Sequence, residues 1–176
     1  MSTWPVFVQD WQCECCGDAF ALGDDVAWTL LFFAEPAVSI PGEMFVEATV
    51  RLERMGQTDD GTTGQIVRVG DEVPAWWAGG DPCPESVRGV LMEEHHGGVP
   101  ADLPPSHGIV RRIQLVTQEY RNVGGVTWEA ASATAEYREL TSTPTGFDAD
   151  LEPEGPLRRM QIGLLVDLEV DGNTAA

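Results

Sequence analysis

Two stretches of this chain alternate apolar and polar residues with a period of two. In residues 45–54, one face carries apolar side chains and the other carries polar ones, and residues 160–170 repeat the pattern. The apolar face of 45–54 consists of Val46, Ala48, Val50 and Leu52. Because successive side chains of a strand point to opposite faces, both stretches predict half-buried strands. Shorter apolar runs predict four further strands, at 6–8, 26–33, 65–69 and 109–117.

One segment between these strands predicts a short helix. Asp81 or Ser86 is suited to cap its beginning, and the glycines at 97–98 are suited to end it. Apolar residues three and four apart would form its buried stripe. This interpretation places His95 and His96 in the last helical turn.

Two segments near the C-terminus are less regular. Residues 129–140 contain alanines that favour a helix and Thr and Ser residues that allow a strand, and the prediction is a strand. Residues 141–158 combine prolines, glycines and acidic residues, so they predict a long loop before the last strand.

The whole chain predicts one mainly β domain spanning residues 1–176. A length of 176 residues fits one domain, and a hydrophobic content of 43% indicates a packed globule. Twelve prolines and nineteen glycines favour many turns over long helices. Glycines at the entry of sharply bent strands are typical of small closed sheets, so we expect a barrel-like, SH3- or OB-like antiparallel sheet with one short helix.

The charge balance restricts the classes of partner. Acidic residues number 29 against 10 basic ones, and the formal charge is −19. Such a charge repels phosphate backbones and anionic lipids, which predicts no direct nucleic-acid binding and no membrane association. An acidic protein that mimics DNA remains an alternative. The chain start lacks the basic and apolar regions of a signal peptide, so the expected location is the cytoplasm.

Three of the four cysteines lie together, at Cys13, Cys15 and Cys16. The spacing Cys-x-x-Cys-Gly is typical of a zinc knuckle, a turn whose thiolates converge on one ion. A structural zinc site needs four ligands and the sequence has no second Cys-x-x-Cys, so the other candidates are Cys83, His95, His96 and His107. The most economical set joins Cys13 or Cys15 and Cys16 with His95 and His96. The alternatives are buried cysteines that act as small hydrophobic residues and a redox-active vicinal pair.

The same residues admit two classes of function. A thiol enzyme with Cys16 as nucleophile and His95 as base, or a metal-dependent hydrolase, is chemically feasible, but no hydrolase motif surrounds these residues. Catalytic residues are therefore not predicted. The leading hypothesis is a binding or interaction module, with a protein or a small molecule as partner and with zinc as a stabilising ion.

Four short motifs, each occurring once, are spread in a defined order over most of the chain. They are W-Q-x-x-C-C-G at 11–17, E-H-H-G-G at 94–98, G-x-V-x-x-I at 108–113 and G-x-L-V-D-L at 163–168. In this order they resemble an uncharacterised actinomycete family with a domain of unknown function. The resemblance implies a shared fold, supplies no activity, and implies an insertion at residues 35–82. It also groups Cys15, Cys16, His95 and His96 and leaves Cys13 outside the shared pattern.

Overall fold

The structure, a computed structural model, describes residues 1–15, 17–34, 40–79, 83–131, 135–154 and 157–170. These residues form a mainly β protein with one short α-helix, α1 (Asp10–Cys15), and a 3-10 turn at Gly42–Met44. The strands are β1 (Ser2–Gln9), β2 (Asp25–Trp28), β3 (Leu30–Ala34), β4 (Val46–Gln57), β5 (Thr63–Val69), β6 (Val73–Trp77), β7 (Ser86–Glu93), β8 (Ser106–Gly124), β9 (Thr127–Ala130), β10 (Glu136–Leu140), β11 (Ala149–Glu154) and β12 (Leu157–Val170).

The strands predicted from periodicity are confirmed. The two alternating stretches are β4 and β12, and three of the shorter runs lie in β1, β5 and β8. The run at 26–33 is divided at Thr29 into β2 and β3. These strands pair with different neighbours, β2 with β8 and β3 with β6 and β7, which explains the division.

The predicted helix leading to His95 and His96 is wrong. Ser86 begins β7, and the two histidines follow that strand instead of closing a helix. Residues 89–93 are all buried, because Leu91 packs in one apolar cluster while Val90 and Met92 pack in another. A strand buried on both faces has a continuous apolar run, which periodicity does not distinguish from a buried helix. The alternative cap, Asp81, lies outside the described residues.

Cys13 and Cys15 of the predicted knuckle belong to α1, and Cys16 lies outside the described residues, so the knuckle stays a prediction. The strand prediction for 129–140 is confirmed at both of its ends by β9 and β10, while 132–134 lie outside the described residues. The loop predicted for 141–158 is wrong where β11 pairs with β12.

The sheet contains a ring of five strands. β7 pairs with β3, followed in turn by β6, β5 and β4, and β4 pairs back onto β7. A buried apolar cluster draws side chains from all five strands and from β1 and β12. The expectation of a purely antiparallel sheet is wrong, because β3 is parallel to β6 and β1 is parallel to β7. The segment 35–82 supplies β4, β5 and β6 of this ring.

The parallel pairing of β1 and β7 positions the site described below. Val6 lies opposite Leu91 and Phe7 opposite Met92, so the two strands run in the same direction. Their carboxyl ends therefore meet at one edge of the sheet. α1 follows β1 directly, and Glu94, His95 and His96 follow β7.

Candidate functional site

The short helix α1 is fixed to the end of β7 by one buried side chain. Gln12, only 1% exposed, donates from Nε2 to the carbonyl oxygen of Glu93 at 2.9 Å. Its Oε1 lies 3.2 Å from Nδ1 of His96. The backbone N–H of Gly17 donates to the Gln12 carbonyl at 3.0 Å and ends the helix. α1 therefore occupies one defined position against the segment that follows β7.

Aromatic contacts extend this junction. The Trp11 indole and the His96 imidazole have centroids 4.6 Å apart, and the imidazoles of His95 and His96 are 4.2 Å apart. The structure thus brings the N-terminal cysteine segment and the histidine pair to the same edge, although no helix carries the histidines.

Two neighbouring glutamates at this edge have different surroundings. The Glu94 carboxylate is fully engaged, because Oε1 accepts the His96 backbone N–H at 2.5 Å and Oε2 accepts from Gln12 at 3.4 Å. Glu93 is 5% exposed, and its Oε1 lies 2.8 Å from Nδ1 of His95. Within the described part of the chain, Oε2 of Glu93 is buried without any hydrogen-bond partner. Glu93 is therefore a buried carboxyl with one oxygen unsatisfied, an unusual arrangement in native proteins.

Burial determines the electrostatics of Glu93. Loss of hydration raises the pKa of its carboxyl above the ordinary value of 4.5, and the nearby Glu94 charge adds to the effect. The hydrogen bond and the charge of His95 act in the opposite direction but do not cancel the burial effect. The ionised form is therefore disfavoured until a positive group approaches.

A cleft of about 560 Å³ lies beside Glu93 and His95. Residues 17–20 and 24–28 form much of its wall, and Val8 and Cys13 complete the side nearest α1. Phe20 and Trp28 contact each other edge to face with centroids 5.1 Å apart. A concave site with apolar walls and a few converging polar groups is the usual form of a small-molecule site.

The cysteines at this edge have different surroundings. Cys13 is half-buried and lines the cleft, Cys15 is exposed, and Cys16 lies outside the described residues. Burial, and then the negative charges of Glu93 and Asp10, raise the pKa of the Cys13 thiol to about 12. The thiol is therefore protonated at neutral pH, which does not suit a thiolate nucleophile.

The predicted metal site involves Cys13, Cys15, Cys16, His95 and His96. Across the described residues, no group of three or more His, Cys, Asp or Glu side chains is disposed to hold a metal ion. Cys13 and His95 line the same cleft, and the contact of Nδ1 of His95 with Glu93 leaves Nε2 as the ring nitrogen available to an ion. Because Cys16 lies outside the described residues, the zinc site stays a prediction.

Sequence reasoning missed the residue with the most unusual environment. The sequence around Glu93 contains no signal that distinguishes this residue, and Gln12 stands out only as part of the W-Q-x-x-C-C-G motif. Both are polar side chains that become buried through contacts between α1 and β7, some eighty positions apart in sequence. Trp28 and the acidic residues around it gave no periodic signal.

Comparison with known proteins gives a family without an activity. Residues 2–170 match the model of a family described as Family of unknown function (DUF6578). No curated protein and no solved structure matches the chain. A search of the described helices finds none with the length and apolarity needed to cross a membrane.

Proposed function

Because the chain belongs to the Family of unknown function (DUF6578), which supplies no activity, we propose a function from the site itself: a binding protein whose cleft takes a small molecule. The observation that carries this proposal is Glu93, buried at the cleft wall with Oε2 unpaired among the described groups. An unsatisfied buried acceptor costs about 1–3 kcal/mol, and a donor on a ligand offsets that cost. The cleft volume of about 560 Å³ falls within the range of small-molecule sites.

One contact favours a second candidate function, an enzyme that uses acid–base chemistry. The Glu93 carboxylate holds Nδ1 of His95 at 2.8 Å, which orients the imidazole beside the cleft. A carboxylate-oriented imidazole is a common form of general base. Such an enzyme would bind its substrate in the same cleft, so both candidates are tested together.

The test is a screen of small molecules by ligand-observed NMR. The panel contains cationic, neutral and anionic metabolites. A separate titration with zinc chloride, followed on the histidine signals of the protein, tests the Cys/His prediction. We expect at least one organic class to bind the wild-type protein with saturation. Conversion of a bound compound during incubation would identify the enzyme, and unchanged compounds would identify the binding protein.

The variant that tests the location of the site is Ala19→Phe, which adds an aromatic ring at an exposed position of the cleft wall. We expect this variant to fold normally and to lose binding of the active compounds by about tenfold or more, because a ring in the wall takes up ligand volume. Binding that is equally strong in wild type and Ala19→Phe would refute the proposed site. Absence of any saturable binding across the panel would refute the proposed function.

A further inference from the structure

We propose that the cleft selects a small organic ammonium ion, with Glu93 as its counter-ion; this inference rests on the proposed binding function. Oε2 of Glu93 is a buried acceptor that lacks a partner in the described structure, and an ammonium group supplies both hydrogen-bond donors and positive charge. A charge-assisted hydrogen bond is roughly twice as strong as one between neutral groups. A cationic donor therefore fits this oxygen better than a neutral one.

Apart from His95, which contacts Glu93, the other titratable groups of the cleft wall are mainly carboxylates. Asp18, Asp24 and Asp25 line it together with Glu93, and the described lining residues include no arginine. Asp24 is held in place, since its Oδ2 accepts the backbone N–H of Ala21 at 2.8 Å. Several carboxylates around one concave surface focus a negative potential that attracts cations and repels anions.

The aromatic wall favours an organic cation over a metal ion. Trp28 and Phe20 line the cleft together with these carboxylates, and the Trp28 side chain is partly exposed. Alkyl groups pack on such rings, and a cation near the indole face gains a further electrostatic attraction. The volume of about 560 Å³ is also far larger than one metal ion requires. The described carboxylates, thiols and imidazoles do not form a set of three metal ligands.

The test is an NMR titration with pentylammonium chloride and with 1-pentanol, a neutral compound of nearly the same shape. The signal is the indole N–H of Trp28, recorded at about 0.1 M salt so that long-range attraction to the acidic surface is screened. We expect a saturable shift with pentylammonium and at least about tenfold weaker binding of pentanol, since charged hydrogen bonds exceed neutral ones in strength. Equal binding of the two compounds would overturn the inference without requiring any variant.

Two variants assign the effect to Glu93. Glu93→Gln removes the negative charge but retains a side-chain oxygen that accepts a hydrogen bond from His95. We expect this variant to bind pentylammonium at least about tenfold more weakly than wild type, because it removes one partner of a buried charge pair. Glu85→Gln removes the same charge at an exposed position immediately before β7, and we expect unchanged binding. Equal losses in both variants would show non-specific attraction to an acidic protein and would refute the assignment.

The two proposals fail in different ways. If neutral or anionic panel members bind in the cleft while pentylammonium does not, the ligand class is wrong and the binding function stands. If no compound of any class binds with saturation, both proposals are wrong.

Discussion

Replacement of Gly163 by alanine is expected to destabilise the protein by roughly 2–6 kcal/mol, because backbone strain and overpacking each cost about 1–3 kcal/mol. Gly163 has φ +143°, a conformation that L residues rarely adopt. An added Cβ would overlap the carbonyl oxygen of Val8 and would lie 3.0 Å from Cα of Gln9. This glycine pairs with Gln9, the last residue of β1, directly before α1. Urea unfolding monitored by circular dichroism measures the decrease in the free energy of unfolding.

The matched control is Gly124→Ala in the hairpin between β8 and β9. Gly124 has a similar φ of +136°, but no described atom lies within 4 Å of an added Cβ. Only strain of about 1–3 kcal/mol is therefore expected. If Gly163→Ala and Gly124→Ala lowered the free energy of unfolding equally, the close approach of β1 to β12 would not be the reason for the loss at Gly163.

Replacement of Gln12 by methionine is expected to cost about 1–3 kcal/mol, the usual cost of leaving a buried acceptor unsatisfied. Methionine fills a similar volume but donates no hydrogen bond to the Glu93 carbonyl or to the Glu94 carboxylate. The imidazole of His96 would also lose its contact with Oε1 of Gln12. We expect a lower unfolding midpoint in urea, together with faster amide exchange in α1 and a changed His96 ring signal.

Gln114→Met serves as the comparison for this substitution. Gln114 also donates a side-chain hydrogen bond, to Glu139 at 2.8 Å, but at the surface. Surface substitutions of this kind usually change stability by less than about 0.5 kcal/mol. If Gln12→Met left stability and the His96 signal as unchanged as this control, α1 would not be fixed to the end of β7.

The fold could be predicted from sequence where one face of a strand is solvated. β4 shows this over residues 46–50, where Ala48 and Val50 are buried and their neighbours are more exposed, and β12 shows it over residues 167–170. Elsewhere the alternation in sequence does not match the burial, since residues 51–55 of β4 are all exposed and residues 163–166 of β12 are all buried. β7 is buried on both faces over 89–93, so its residues do not alternate between apolar and polar as those of a half-buried strand do. The flanking glycines and prolines then favoured the wrong prediction, a helix. The parallel pairing of β1 with β7 depends on contacts distant in sequence. An SH3- or OB-like assignment for the five-strand ring stays a prediction.

The candidate site could be predicted only in part. Clustered thiols and paired histidines are visible in sequence, and the structure places α1 beside His96. The properties of Glu93 were not visible, because its burial and its unsatisfied oxygen arise from packing between β7, its neighbours and α1. Cys13 is similar, since its raised pKa comes from burial and from the Glu93 charge across the site.

Glu93 also connects function with stability. Its pKa is higher in the folded protein than the ordinary value of 4.5, so the folded state holds more protons than the unfolded state between these two values. The contribution of Glu93 to the free energy of unfolding therefore falls as pH rises through that window. A group that lowers stability when ionised is typical of a binding site, where a ligand offsets the cost.

The most direct measurement of the central claim is a pH titration of the Glu93 side-chain carboxyl carbon by ¹³C NMR in the ligand-free protein. A carboxyl that is buried beside the cleft with one oxygen unsatisfied must titrate above 4.5. A midpoint at or below 4.5 would mean that the Glu93 carboxylate is already well solvated or fully paired, and the account of the cleft would be wrong.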